Sequence, residues 1–175
     1  MGGVPKGNIL IDGQRIIDRT LSILTSVCAD QYLLGEPVQY SDVDTLAIPD
    51  IAGCSGPLAG IAALLEHVQG DVLIVACDLP NLTKAVLHTL IQNRSKTPIA
   101  YRTPHHKHPL VSCWCYAHLD VVKKGALTQA SVNSVFEILN GRWIDYPDEH
   151  MFRNLNTPED VRAMGDAQCL LPKHV

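Results

Sequence analysis

The stretch Asp71–Pro80, DVLIVACDLP, decides the fold. Five apolar residues, Val72 to Ala76, run without a polar interruption, too short for a helix of ordinary length and right for a strand buried on both faces. Such strands belong to parallel sheets covered by helices on either side. The run stops at Asp78, where a carboxylate can project from the strand end into a crevice. It is followed by LPNLTKAVLHTLIQNR, in which Leu82, Val86, Leu90 and Ile91 recur at helical spacing.

Working outward, the same succession of strand, turn and helix recurs. Upstream, GPLAGIAALLEHV sets Leu58, Ile61, Leu65 and Val68 on one helical stripe and is expected to stop at Gly70. QYLL and TLAIP have strand length, and QRIIDRTLSILTSVC places Ile16, Ile17, Leu21, Leu24 and Cys28 on a helical face behind the short extended piece NILIDG. Downstream, PIAYR and LVSCWCYA read as strands around the loop TPHHKHP, SVNSVFEILNG as a helix and RWIDYP as a strand. The final pattern, NTPEDVRAMG, has Asn156 or Thr157 as cap and Pro158 in the first turn. Alternation of this kind predicts an α/β three-layer sandwich with a mostly parallel sheet, in one domain spanning residues 1–175.

Composition narrows the function. Hydrophobic residues make up 46% and charged residues 18% of 175, which fits a folded chain and not an extended disordered one. A net charge of -4 gives no general attraction to nucleic acid or to an anionic membrane, so an anionic ligand must be held locally. No apolar run approaches the roughly 20 residues of a spanning helix, and no signal pattern opens the chain; a cytoplasmic protein is expected. The six cysteines, at 28, 54, 77, 113, 115 and 169, lie in apolar or strand-like surroundings, and reduced thiols are expected. Cys113 and Cys115, two apart on a strand, should both be buried on one face.

Four stretches carry chemistry. Asp78 could hold a hard divalent cation together with phosphate oxygens, or cap the helix that follows, and the two roles are compatible. GCSGPLAG places glycines, a serine and a proline just ahead of a helix, so its amides could face a base or a phosphate; a tight turn without a ligand has the same composition. Lys6, between Pro5 and Gly7, could neutralise charge on a transferring phosphoryl group, or be a solvated lysine. Asn154 and Asn156 in FRNLNTPED offer amides to a polar ligand or to the last helix. His105, His106 and His108 lack a carboxylate or cysteine at a familiar zinc spacing and read as a solvated loop.

Taken in order, MGGVPKG, GPLAG, CDLP, HPL and NLNTPED resemble the molybdenum cofactor guanylyltransferases, the MobA-like branch of the nucleotidyltransferases. The resemblance covers nearly the whole chain. It implies a Rossmann-like nucleotidyltransferase fold and transfer of GMP from GTP to molybdopterin, with Mg2+ and release of pyrophosphate; a molybdoenzyme or another cofactor-biosynthesis protein would be a further partner. Carried over by position, it makes Lys6 and Asp78 catalytic, with Asp78 also the magnesium ligand. It assigns Gly2, Gly3, Lys6, Asp50, Gly56, Pro57, Leu58, Gly60 and Asp78 to the nucleotide, and Asn154 and Asn156 to the pterin substrate.

Three departures accompany it. The family opens with an apolar strand and a loop of the type L-A-G-G-x-S-x-R-M-G, of which Met1, Gly2 and Gly3 match the end, so an N-terminally incomplete domain is expected. Leu34 stands where many relatives have asparagine, and SVNS where relatives often carry arginine. The alternatives are a cytidylyltransferase or other transferase of the same fold, or a catalytically silent binding protein.

Overall fold

The computed structural model describes residues 6–35 and 40–155. Gly2, Gly3, Asn156, Cys169 and the NTPEDVRAMG helix fall outside the described residues.

A single-turn helix at Lys6–Asn8 leads into a small hairpin of β1 (Leu10–Ile11) and β2 (Gln14–Arg15), then α1 (Ile16–Thr25). Next come β3 (Tyr32–Leu34), β4 (Leu46–Ile48), α2 (Pro57–Val68), β5 (Val72–Val75) and α3 (Lys84–Gln92). The second half holds β6 (Ile99–Arg102), β7 (Lys107–Trp114), α4 (Leu119–Leu127), α5 (Val132–Ile138) and β8 (Arg142–Asp145). β3 and β4 pair in parallel, while β5, β7, β6 and β8 form a four-stranded sheet in that order. This larger sheet is mixed: β6 and β8 are parallel, and β7 runs antiparallel to both neighbours. The short connection through TPHHKHP dictates that reversal, because a parallel return needs a crossover of a dozen or more residues.

The strands sort their side chains by parity, and this makes the three layers. Val72 and Ile74 of β5, Ala100 of β6 and Trp114 of β7 enter one core with Leu58, Ile61 and Leu65 of α2, Val122 of α4 and Phe136 of α5. Ile99 and Tyr101 of β6 with Val111 and Cys113 of β7 enter the other, against Val86, Leu87 and Leu90 of α3 and Phe152. Two polar groups inside are satisfied locally: the Ser112 hydroxyl donates to the Pro109 carbonyl at 2.6 Å, and the Trp114 indole donates to Ser112 Oγ at 2.7 Å.

Several boundaries differ from the sequence expectation. α2 ends at Val68, with Gln69 taking the left-handed position (φ 53°) one residue before Gly70. β7 begins at Lys107, because pairing with β6 resumes there across a register shift and draws half of the histidine loop into the sheet. The same strand ends at Trp114, so Cys113 is buried but Cys115 turns out of the ladder into the Tyr116–His118 turn and is only half-buried. Burial pushes the Cys113 thiol up to about 12. Thr83, not Asp78, stands at the start of α3, which removes the capping role for Asp78.

His108 is not a solvated loop residue. It stacks on Phe152 with ring centroids 4.5 Å apart, and its Nε2 lies 3.1 Å from Thr103 Oγ1. Burial lowers its pKa, His106 adds to that shift and Glu149 opposes it. The folded state therefore resists a proton that the unfolded chain accepts, so its contribution is complete above the ordinary histidine pKa and is lost as pH falls below it. Stability should fall between about pH 7 and 5, and less so in His108→Phe, as urea titrations at each pH would measure.

Candidate active site

Two carboxylates stand at strand ends on one side of the molecule: Asp50 just past β4 and Asp78 just past β5. Asp78 is 14% exposed and reaches Lys6 Nζ through Oδ2 at 3.4 Å, while Lys6 itself is 41% exposed. The ion pair is held from behind. The Leu155 amide donates to the Asp78 carbonyl at 3.2 Å, and Leu155 is buried against Ile9, Ile11 and Ile16. The chain thus returns at residue 155 to fix the strand end that carries the carboxylate, and sets exposed Asn154 one residue away.

The glycine-proline loop faces the pair across a cleft. Gly56 adopts φ 90°, a conformation that L side chains rarely take, and so the chain turns into α2 with Pro57 in its first turn. One turn on, Gly60 is closely approached, since a Cβ there would stand 3.3 Å from Asp50 Oδ1 and 3.2 Å from Leu34 Cβ and would crowd both. This close approach seats Asp50 against the N-terminal turns of α2, where helix amides and dipole favour negative charge. Lys6, Asp50, Gly56, Pro57, Gly60 and Asp78 all line one cleft of about 910 Å³. Leu58 does not join them: its side chain is buried in the core, where α2 meets α4.

Two residues that the sequence did not single out complete this end of the cleft. Tyr40 accepts a hydrogen bond from the Gly7 amide at 3.2 Å, and its hydroxyl lies 3.8 Å from Cys77 Sγ. Burial pushes the Tyr40 hydroxyl up to about 12 and also raises the Cys77 thiol. Tyr40 therefore stays a neutral phenol that braces the loop carrying Lys6 against the end of β5. Its stretch, QYSD, carries no periodic or motif signal; only the fold brings it to the site. Removing the hydroxyl in Tyr40→Phe strands the Gly7 amide and should cost about 1 kcal/mol of stability, measurable by urea unfolding.

Among the described residues no group of three or more histidine, cysteine, aspartate or glutamate side chains could hold a metal ion, and none of their helices is long and apolar enough to cross a membrane. Asp78 offers a hard oxygen donor beside a cation in the same cleft as the Gly56–Pro57 turn. Magnesium typically needs no more protein than that, one or two carboxylates with phosphate oxygens and water supplying the rest, so the residues present fit it.

Residues 1–142 match the MobA-like NTP transferase domain family. The chain belongs to this family. A molybdenum cofactor guanylyltransferase from Desulfosudis oleivorans is 29% identical over 174 residues, covering 91% of this chain and 85% of that protein. A probable molybdenum cofactor guanylyltransferase from Synechococcus elongatus is 32% identical over 108 residues, 55% of this chain and 53% of its own length. In three dimensions, molybdopterin-guanine dinucleotide biosynthesis protein A from Archaeoglobus fulgidus superposes with a TM-score of 0.78 at 20% identity, covering 92% of this chain and 89% of that one. The nucleotidyltransferase fold expected from the motifs is thereby established, and the MobA-like chain carries its two strand-end carboxylates on that frame.

Proposed function

We propose that this MobA-like protein transfers GMP from GTP to molybdopterin and releases pyrophosphate. The observation that carries the reading is the Lys6–Asp78 pair at the mouth of a cleft whose opposite wall is the Gly56–Pro57 turn into α2. A nucleoside triphosphate needs both features: amides and glycines against its base and sugar, and paired charges of opposite sign at its phosphates. The guanine and molybdopterin assignments rest on the names of the relatives.

In the transfer, a phosphate oxygen of molybdopterin attacks the α-phosphorus of GTP, the new oxygen–phosphorus bond forms, and the bond to the bridging oxygen of the β-phosphate breaks. Pyrophosphate takes the electron pair, and no covalent bond to the protein is required. Asp78 would hold Mg2+, which when bound neutralises phosphate charge. Lys6, already beside Asp78, would stabilise the leaving pyrophosphate. Asp50, seated against Gly60, would accept hydrogen bonds from the guanosine, and the Gly56–Gly60 turn would lie against its base and ribose. Asn154, held near the Asp78 strand end through Leu155, would meet the pterin side. Positioning and charge neutralisation account for the catalysis.

The test is pyrophosphate release with molybdopterin and Mg2+, from GTP and from CTP in parallel. Release from GTP at several times the CTP rate supports the reading. A preference for CTP would make the protein a cytidylyltransferase, and nucleotide binding without release a silent binding protein.

A further inference from the structure

The segment that ends at Asn154 and Leu155 is tied to the loop behind β5 at a second point. Asn81, three positions after Asp78, donates from Nδ2 to the His150 carbonyl at 2.9 Å, and the same nitrogen lies 3.2 Å from His150 Nδ1. The carbonyl partner fixes which end of the amide carries the nitrogen, since a flipped side chain would set oxygen against oxygen. An amide nitrogen only donates, so the ring nitrogen it meets accepts, and the imidazole proton is left on Nε2. His150 is exposed, and among the described residues its Nε2 has no partner. The turn around it is held firmly. The His150 amide donates to Asp148 Oδ1 at 2.9 Å, the His105 amide donates to Glu149 Oε1 at 3.1 Å, and Phe152 stacks on His108. Both flanking carboxylates are thereby engaged by backbone amides. Because β5, β6 and β8 run in one direction, the loops behind them that supply these contacts leave the sheet at the edge where Asp78 stands.

We propose that His150 is a substrate contact on the acceptor side: its Nε2–H donates to a non-attacking oxygen of the phosphate monoester that attacks GTP, and Asn81 is the positioning residue that fixes the ring. The assignment rests on the guanylyl-transfer reading. The chemistry of the step calls for such a donor. A phosphate oxygen must keep its negative charge to attack phosphorus, and a lysine ammonium at the same place would neutralise it. A neutral N–H orients the group and leaves the charge where the new bond forms. The tautomer also limits what the ring can do. Its lone pair is held by Asn81, so His150 gives a hydrogen bond and takes no proton. None has to be taken, because a phosphate monoester is already largely ionised at neutral pH.

Two substitutions separate this contact from a merely structural tie. His150→Asn places an oxygen where Nδ1 stands and keeps the bond from Asn81, but has nothing at the Nε2 position. His150→Gln places an amide nitrogen at the Nε2 position and gives up the bond to Asn81. Equilibrium binding of molybdopterin without nucleotide is measured on the parent and both variants, with thermal midpoints to confirm folding. His150→Asn should weaken binding by roughly tenfold while His150→Gln stays within about threefold of the parent. In turnover, the KM for molybdopterin should follow the same order, with the KM for GTP unchanged. Any order other than tighter binding by His150→Gln than by His150→Asn overturns the proposal, equal binding and no binding included. Pyrophosphate release from GTP is scored separately. If the order holds and the parent releases none, the contact stands and the guanylyl-transfer reading falls; if the parent turns over and the order fails, the reverse is true.

Discussion

Asp78→Asn should lower GMP transfer to molybdopterin by roughly a thousandfold while leaving the thermal midpoint within about 3 °C of the parent. The asparagine keeps the shape of the side chain and the backbone carbonyl that Leu155 holds, so the loop and the end of β5 stay in place. What disappears is the formal charge: a magnesium ligand is weakened and the 3.4 Å ion pair with Lys6 is lost. Pyrophosphate release at saturating GTP and Mg2+ measures the effect. Turnover within tenfold of the parent would mean that Asp78 serves only to hold Lys6, and the catalytic assignment would fall.

The largest expected loss of stability lies far from the cleft, at Gly141→Ala. A Cβ at residue 141 would stand 2.2 Å from two atoms of the Phe136 ring. That ring is fully buried, 4.3 Å from the Trp143 ring and 5.8 Å from that of Trp114 between centroids, and has nowhere to move. Either α5 shifts or β8 does. Overpacking of this kind costs about 3 kcal/mol, a large share of the roughly 5–15 kcal/mol that holds a domain together. Urea unfolding of the variant reads it directly, and a loss under about 1 kcal/mol would show that the turn into β8 yields without disturbing the core.

How much of this was legible depends on what kind of signal each residue gave. The continuous apolar run at Val72–Val75 and the stripe through Leu58, Ile61 and Leu65 were readable because burial on both faces, or on one, imposes its own period. α4 was not read at all. Its buried face, Leu119, Val122, Gly125 and Ala126, includes a glycine that gives no hydrophobic signal and is flanked by Lys123 and Lys124, so the helical period is masked. Asp78 and the Gly56–Pro57 turn were found because the residues just past a buried strand and at the start of a helix are marked positions in an alternating α/β fold. Tyr40 was not, since a hydroxyl that meets Gly7 across 33 positions leaves no trace in a local pattern. Leu58 shows the converse: a residue inside a motif can serve the core while its neighbours line the site.

The backbone tie between Leu155 and Asp78 has a consequence in time. Ile9, Ile11 and Ile16 leave the ribosome long before Leu155, yet among the described residues the small apolar cluster they form includes Leu155 as its distant member. Until residue 155 has been synthesised and released from the exit tunnel, that cluster is incomplete and the strand end bearing Asp78 lacks the backbone tie from Leu155. Contacts of such long sequence separation slow folding and expose apolar surface during synthesis. A nascent chain stalled short of residue 155 would therefore already hold both strand-end aspartates without the anchor behind Asp78, and such arrested chains are where chaperone demand should concentrate.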